Sequence, residues 1–100
     1  MKIKKSYENL FEEEMSNNIP LERYNKMSKA FKNIIDARIA YKVAIKNKDY
    51  IYEAINDVIK NPYYAFLFVK DVLKAPDNRI YQVLKDTEFE YDYEQLFKDD

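Results

Sequence analysis

Glu12-Glu13-Glu14 and the pair Glu90 and Glu94 are the residues of this 100-residue chain whose type and spacing come nearest to chemistry. Paired carboxylates can act as acid and base, or hold a hard cation such as Mg²⁺. The rest of the chain gives them little support. There is no His, so the usual general base near neutral pH is missing. There is no Cys, hence no thiolate nucleophile, no thiolate metal ligand and no disulfide. Ser occurs only at positions 6, 16 and 28, none of them in a strand–turn–helix setting that exposes a nucleophile. Without Gly, neither a phosphate-cradling loop nor a dinucleotide fingerprint can be written. Both acidic groups are therefore read as solvated faces or helix N-terminal charge. The expectation is a protein that is no enzyme and takes no cofactor or metal.

Two further sets could make contacts rather than catalyse. From Leu21 to Lys48 there are 8 basic and 2 acidic residues, and from Asp86 to Asp100 there are 1 basic and 7 acidic. The net charge of −1 conceals this division, which leaves two patches able to attract each other or to face different partners. Arg23, Lys26, Lys29 and Lys32 recur every three residues, followed by Arg38, Lys42, Lys46 and Lys48. Such a row could follow nucleic-acid phosphates, yet only two of the eight are Arg and no base-reading motif accompanies them. A solvated polar face is the simpler reading. The acidic end, with Glu88, Glu90, Asp92 and Glu94 interleaved with aromatics, could instead imitate phosphates and occupy a basic groove.

The elements that position these groups are all helical by pattern. A chain of this size buries roughly two-thirds of its unfolded surface, enough for one unstapled core, so residues 1–100 form a single domain. The absence of Gly leaves tight turns of positive φ to Asn or Asp and argues against a β-rich fold. Ser6 caps a first helix to about Ser16, with Tyr7, Leu10, Phe11 and Met15 as its stripe. Pro20 suits a first helical position, and Leu21, Tyr24, Met27, Phe31, Ile34 and Ile35 follow at spacings of three and four. Ile39, Ala40, Val43 and Ala44 continue inward. Residues 20–46 are one helix, or two divided by a cap at Asp36. Ile51, Ala54, Ile55, Val58 and Ile59 make the next stripe. Asn61-Pro62 opens a helix to about Lys74, a short one carries Ile80, Val83 and Leu84, and Thr87-Glu88-Phe89-Glu90 fits a capping box for the last, with Phe89, Tyr93, Leu96 and Phe97 inward. The fold class is all-α, six or seven short helices. No apolar run suggests a secretory leader or membrane span, which places the protein in the cytoplasm, the host's if the chain is viral.

A period of 25 residues runs through this pattern. Ile34, Ile59 and Leu84 align, as do Tyr41, Phe66 and Tyr91, and the turn positions Asp36, Asn61 and Asp86. The last set does not follow from helical periodicity alone and favours stacked helix pairs. The stretch "NPYYAFLFVKDVLKAPDNRIYQVLKD", within Asp36 to Asp86, resembles short helix-pair repeats of uncharacterised phage and giant-virus proteins, although many such repeats carry Gly where this chain has Ala75. The resemblance implies architecture and a viral source. It brings no activity.

Between Pro62 and Pro76, ten of thirteen residues are apolar or aromatic, more than one buried face needs. Tyr64, Ala65, Phe68, Val69, Val72 and Leu73 form the core stripe, and Phe66 lies opposite, flanked by Tyr63 and Leu67. Such a helix is central to the stack or exposes a patch. Ten Tyr cannot all be deeply buried, and Tyr50, Tyr52, Tyr63 and Tyr81 are expected half-exposed. Tyrosine-rich surfaces suit protein contact. The function expected is thus a small protein-binding protein, a phage-encoded inhibitor of a host machine or immune system of the anti-CRISPR kind. Its contacts would be Tyr41, Tyr63, Phe66, Tyr91, Glu88, Glu90, Asp92 and Glu94. The alternatives are a nucleic-acid module using Arg23, Lys26, Lys29, Lys32, Arg38 and Lys42, or a homo-oligomer that buries the aromatic surface between copies.

Overall fold

The structure is a computed structural model that describes residues 5–98, and it is all-helical: seven α-helices with no strand among the described residues. The helices are α1 (Tyr7–Asn18), α2 (Leu21–Asn25), α3 (Lys29–Lys46), α4 (Ile51–Val58), α5 (Pro62–Phe68), α6 (Asn78–Leu84) and α7 (Glu90–Leu96). A 3₁₀ turn (Lys48–Tyr50) leads into α4, and a π-helical segment (Val69–Leu73) extends α5.

Four helices start in the same way. Ser6, Ser28, Asn61 and Asp77 each accept a hydrogen bond from the backbone N–H three residues on, at 3.1–3.3 Å. Each satisfies one of the donors that a helix N-terminus leaves open. Ser28 decides the question left open over residues 20–46. The chain breaks at Lys26–Ser28, and Asp36 lies inside α3 rather than at a cap. The three turn positions of the 25-residue period therefore differ in role: Asp36 is mid-helix, Asn61 caps α5, and Asp86 follows α6 at φ 65°. Pro20 caps α2 instead of entering it, whereas Pro62 takes the first turn of α5.

Thr87 does not build a capping box. Its hydroxyl donates to the Leu84 carbonyl at 2.5 Å and accepts from the Phe89 N–H at 3.1 Å, so α7 starts only at Glu90. The π segment ends at Lys74, held at φ 55° with its N–H on the Val69 carbonyl. A left-handed position that Gly would fill without strain is thus carried by Lys74.

The core centres on Ile39, Ile55, Val58, Phe68, Ile80 and Leu84, drawn from α3 to α6 and fully buried. α1 adds Tyr7 and Met15, and α7 adds Tyr93. The stripe from Leu21 to Ile35 does not bury as expected. Tyr24, Met27 and Ile35 pack on the core, but Leu21, Phe31 and Ile34 are exposed, as is Leu96. Extents of 46 × 39 × 16 Å make the molecule a plate at most about two helices deep. Even its central helices therefore keep a face in solvent. No helix among the described residues is long and apolar enough to cross a membrane.

Candidate functional site: an aromatic strip beside an acidic helix

The site begins with the cap of α5. Asn61 and Pro62 fix the entry of the chain, so Tyr63, Tyr64 and Phe66 project from the first turns of this helix. Tyr41 on α3 lies against Tyr64, with ring centroids 6.4 Å apart. Tyr64 meets Tyr63 edge-on at 5.1 Å, and Tyr63 meets Phe89 at 6.1 Å. Phe89 in turn stacks on Phe66 at 5.6 Å with the rings 20° from parallel. Three of the residues expected to bind a partner, Tyr41, Tyr63 and Phe66, thus belong to one continuous strip of five rings. Tyr64 and Phe89 are the links that sequence reading assigned to the core.

The strip is neither core nor loose surface. Tyr41, Tyr64, Phe66 and Phe89 are half-buried, and Tyr63 is 49% exposed. One end is pinned, since the Tyr41 hydroxyl donates to Asp71 Oδ2 at 3.2 Å. Burial, and then that bond, raise the Tyr41 phenol above its ordinary value. Asp71 reaches this position from the π segment, whose wider turn displaces it from where an α-helix would put it. At the other end, Glu88 and Glu90 flank Phe89 in sequence. Glu88 is exposed, while Glu90 is half-buried and accepts from the Tyr81 hydroxyl at 3.4 Å. Tyr91, Asp92 and Glu94 are exposed on α7 and stand outside the run of rings.

The remaining tyrosines divide by position. Tyr50, expected half-exposed, is buried with its hydroxyl on the Lys5 carbonyl. Tyr81 is half-buried and Tyr52 is exposed. Tyr7 and Tyr24 enter a polar network with no counterpart in the sequence reading. Tyr7 donates to Asp57 Oδ2 at 2.7 Å, and Tyr24 donates to Asp36 Oδ1 at 2.7 Å. Lys60 Nζ bridges the two carboxylates at 3.0 and 2.9 Å. Burial works to lower the Lys60 pKa, but its bonds to Asp36 and Asp57 outweigh this and raise it. Burial and the bond to Asp36 push Tyr24 up to about 12, and burial with the bond to Asp57 raises Tyr7 further. The five residues tie α1, α2, α3 and the end of α4 together. The available signal was Asp36 itself, which stands three, four and seven residues before the buried Ile39, Ala40 and Val43.

The basic row is not a single track. Arg23 belongs to α2, Lys26 to the break, and Lys29, Lys32, Arg38 and Lys42 to α3. Arg23 and Arg38 flank one groove with Ile35 and Ile39. Lys42 donates to Asn18 Oδ1 at 2.6 Å, Lys46 pairs with Glu14 at 2.6 Å, and Lys32 lies 5.5 Å from the Tyr24 ring centroid. The acidic triplet is dispersed as well. Glu14 is buried against Lys46 and Asn18, Glu13 pairs with Lys5, and Glu12 is exposed. Among the described residues no group of three or more metal-ligating side chains converges.

Compared with protein-family models, with curated proteins and with solved structures, the chain matches none.

Proposed function

We propose that this chain is a small non-catalytic protein-binding protein whose contact surface is the strip Tyr41–Tyr64–Tyr63–Phe89–Phe66. The observation that carries this reading is the continuity of five half-exposed rings across α3, α5 and the approach to α7. Rigid aromatic side chains lose little entropy on binding and fill a partner's pockets well. Glu88, exposed beside Phe89, extends the surface at its acidic end. Together with the resemblance to viral repeats, this reading makes the partner a component of a host machine or immune system and the chain its inhibitor.

Capture of a partner from a host lysate tests the proposal when the variants Tyr63→Ala and Phe66→Ala are run beside the wild type. Tyr63→Ala removes an exposed ring and should leave the thermal midpoint nearly unchanged. Phe66→Ala removes a half-buried stacked ring and should cost about 1–2 kcal/mol. Phe68→Ala, emptying a fully buried site one residue pair further on, should cost about 3–5 kcal/mol. A discrete protein retained at high salt by the wild type and lost with both strip variants supports the reading. Nucleic acid alone, released as salt rises, would refute it.

A further inference from the structure

The outer face of α3 carries a second apolar surface, which adjoins the strip at Tyr41 but runs away from it along the helix to Phe31. Phe31, Ile34, Arg38 and Ile45 are spaced three, four and seven apart, which places them within about 60° of one another around the helix. They stand opposite the buried Asp36, Ala40, Val43 and Ala44. Phe31 is 62% exposed, Ile45 48% and Ile34 37%, so each keeps part of its side chain in solvent. This is the spacing of a helix-pairing seam, with Arg38 in place of one apolar residue. Every exposed charge on α3 is basic, because its single carboxylate, Asp36, is buried. Pairing α3 with itself would bring Arg38 and its neighbouring lysines against like charge.

α7 has the complementary surface. Its buried residue is Tyr93, and on the outer side Tyr91, 66% exposed, has Asp92 next to it in sequence and Glu94 three residues on. Leu96 is exposed at the edge of that face. Among the described residues no ion pair joins positions 21–48 to positions 86–98, so the two charged stretches leave each other unmet within one molecule.

We infer that the acidic face of α7 in one copy docks on the apolar, basic face of α3 in a second copy, with Tyr91 seated against Phe31 and Ile34 and with Arg38, one turn further along α3, facing Asp92. The contact is heterologous, so repetition builds a ring or an open chain of copies rather than a symmetric pair. Its contacts, Phe31, Ile34, Arg38, Tyr91 and Asp92, are none of the five rings of the strip, so charge reversal at Arg38 or Asp92 tests it separately.

Sedimentation velocity of the full chain over a concentration series, at low and high salt, tests this. The wild type should rise in weight-average mass by about twofold or more with concentration and fall back as salt screens the contact. Arg38→Glu and Asp92→Arg should each remain monomeric with unchanged far-UV circular dichroism, and the two combined should associate again. A wild type that stays monomeric throughout would overturn the inference. So would association unaffected by either reversal, a combined variant that remains monomeric, or loss of association with Phe66→Ala alone.

Discussion

Asp36 accepts from Tyr24 and pairs with Lys60 while itself almost wholly buried. A carboxylate in that setting is tolerated because its oxygens are met, and no buried side-chain polar atom among the described residues is left without a partner. Asp36→Asn keeps the shape and one acceptor but removes the charge that balances Lys60. The variant should lose about 1–3 kcal/mol, read as a lower urea midpoint at unchanged slope. Tyr24→Phe should lose less, since it removes a donor and leaves Asp36 its bond to Lys60. Equal midpoints for wild type and Asp36→Asn would show that the network holds nothing together. This residue also marks where the sequence misleads. A carboxylate between apolar stripes suggests a helix cap, and only the distant partners Tyr24 and Lys60, 12 and 24 residues away, reveal it as an interior group.

At the scale of elements, Asn61-Pro62 and Ser6 could be read directly, because a cap and a first-turn proline are local chemistry. The break at Lys26–Ser28 could not, since Tyr24, Met27, Phe31 and Ile34 keep helical spacing across it. A break that preserves phase leaves periodicity intact. Nor does spacing say which side of a two-faced helix is buried, so it points Phe31 and Ile34 inward although both are exposed. The strip was half legible: Tyr41, Tyr63 and Phe66 stood out as surplus aromatics, while Phe89 joined them only because Thr87 turns the chain back before α7. Positive φ at Asp86 agrees with the expectation that Asn or Asp would fill such positions, but Lys74 at φ 55° does not. A Cβ in that conformation costs about 1 kcal/mol. Lys74→Gly should therefore raise stability by up to about 1 kcal/mol, partly offset by the freedom Gly adds to the unfolded chain. A lower thermal midpoint for this variant would mean that the lysine side chain contributes more than its backbone costs.

At the scale of the whole molecule, the groups with shifted protonation divide into two limbs. The bond to Lys46 holds the Glu14 carboxyl below its ordinary value, burial opposing and Asn18 assisting. A depressed carboxylate stabilises the fold above its unfolded pKa of about 4.3 and loses that contribution as pH falls. Tyr7 and Tyr24 act in the opposite direction. Above about pH 10 an unfolded tyrosine releases its proton, whereas the folded Tyr24 keeps its own to about 12 and Tyr7 beyond that. The unfolded state then binds fewer protons, so stability falls as pH rises. Lys60, raised in the fold, is stabilising below its unfolded pKa and loses that contribution on the same alkaline side. With neither His nor Cys in the chain, no side chain ordinarily titrates between the limbs. Thermal midpoints should accordingly form a plateau from about pH 5.5 to about 9.5, falling on both sides. Tyr24→Phe should flatten the alkaline fall without moving the acid one. A step in the wild-type profile near neutral pH that persists after acetylation of the α-amino group would contradict this division, because no side chain present ordinarily titrates there.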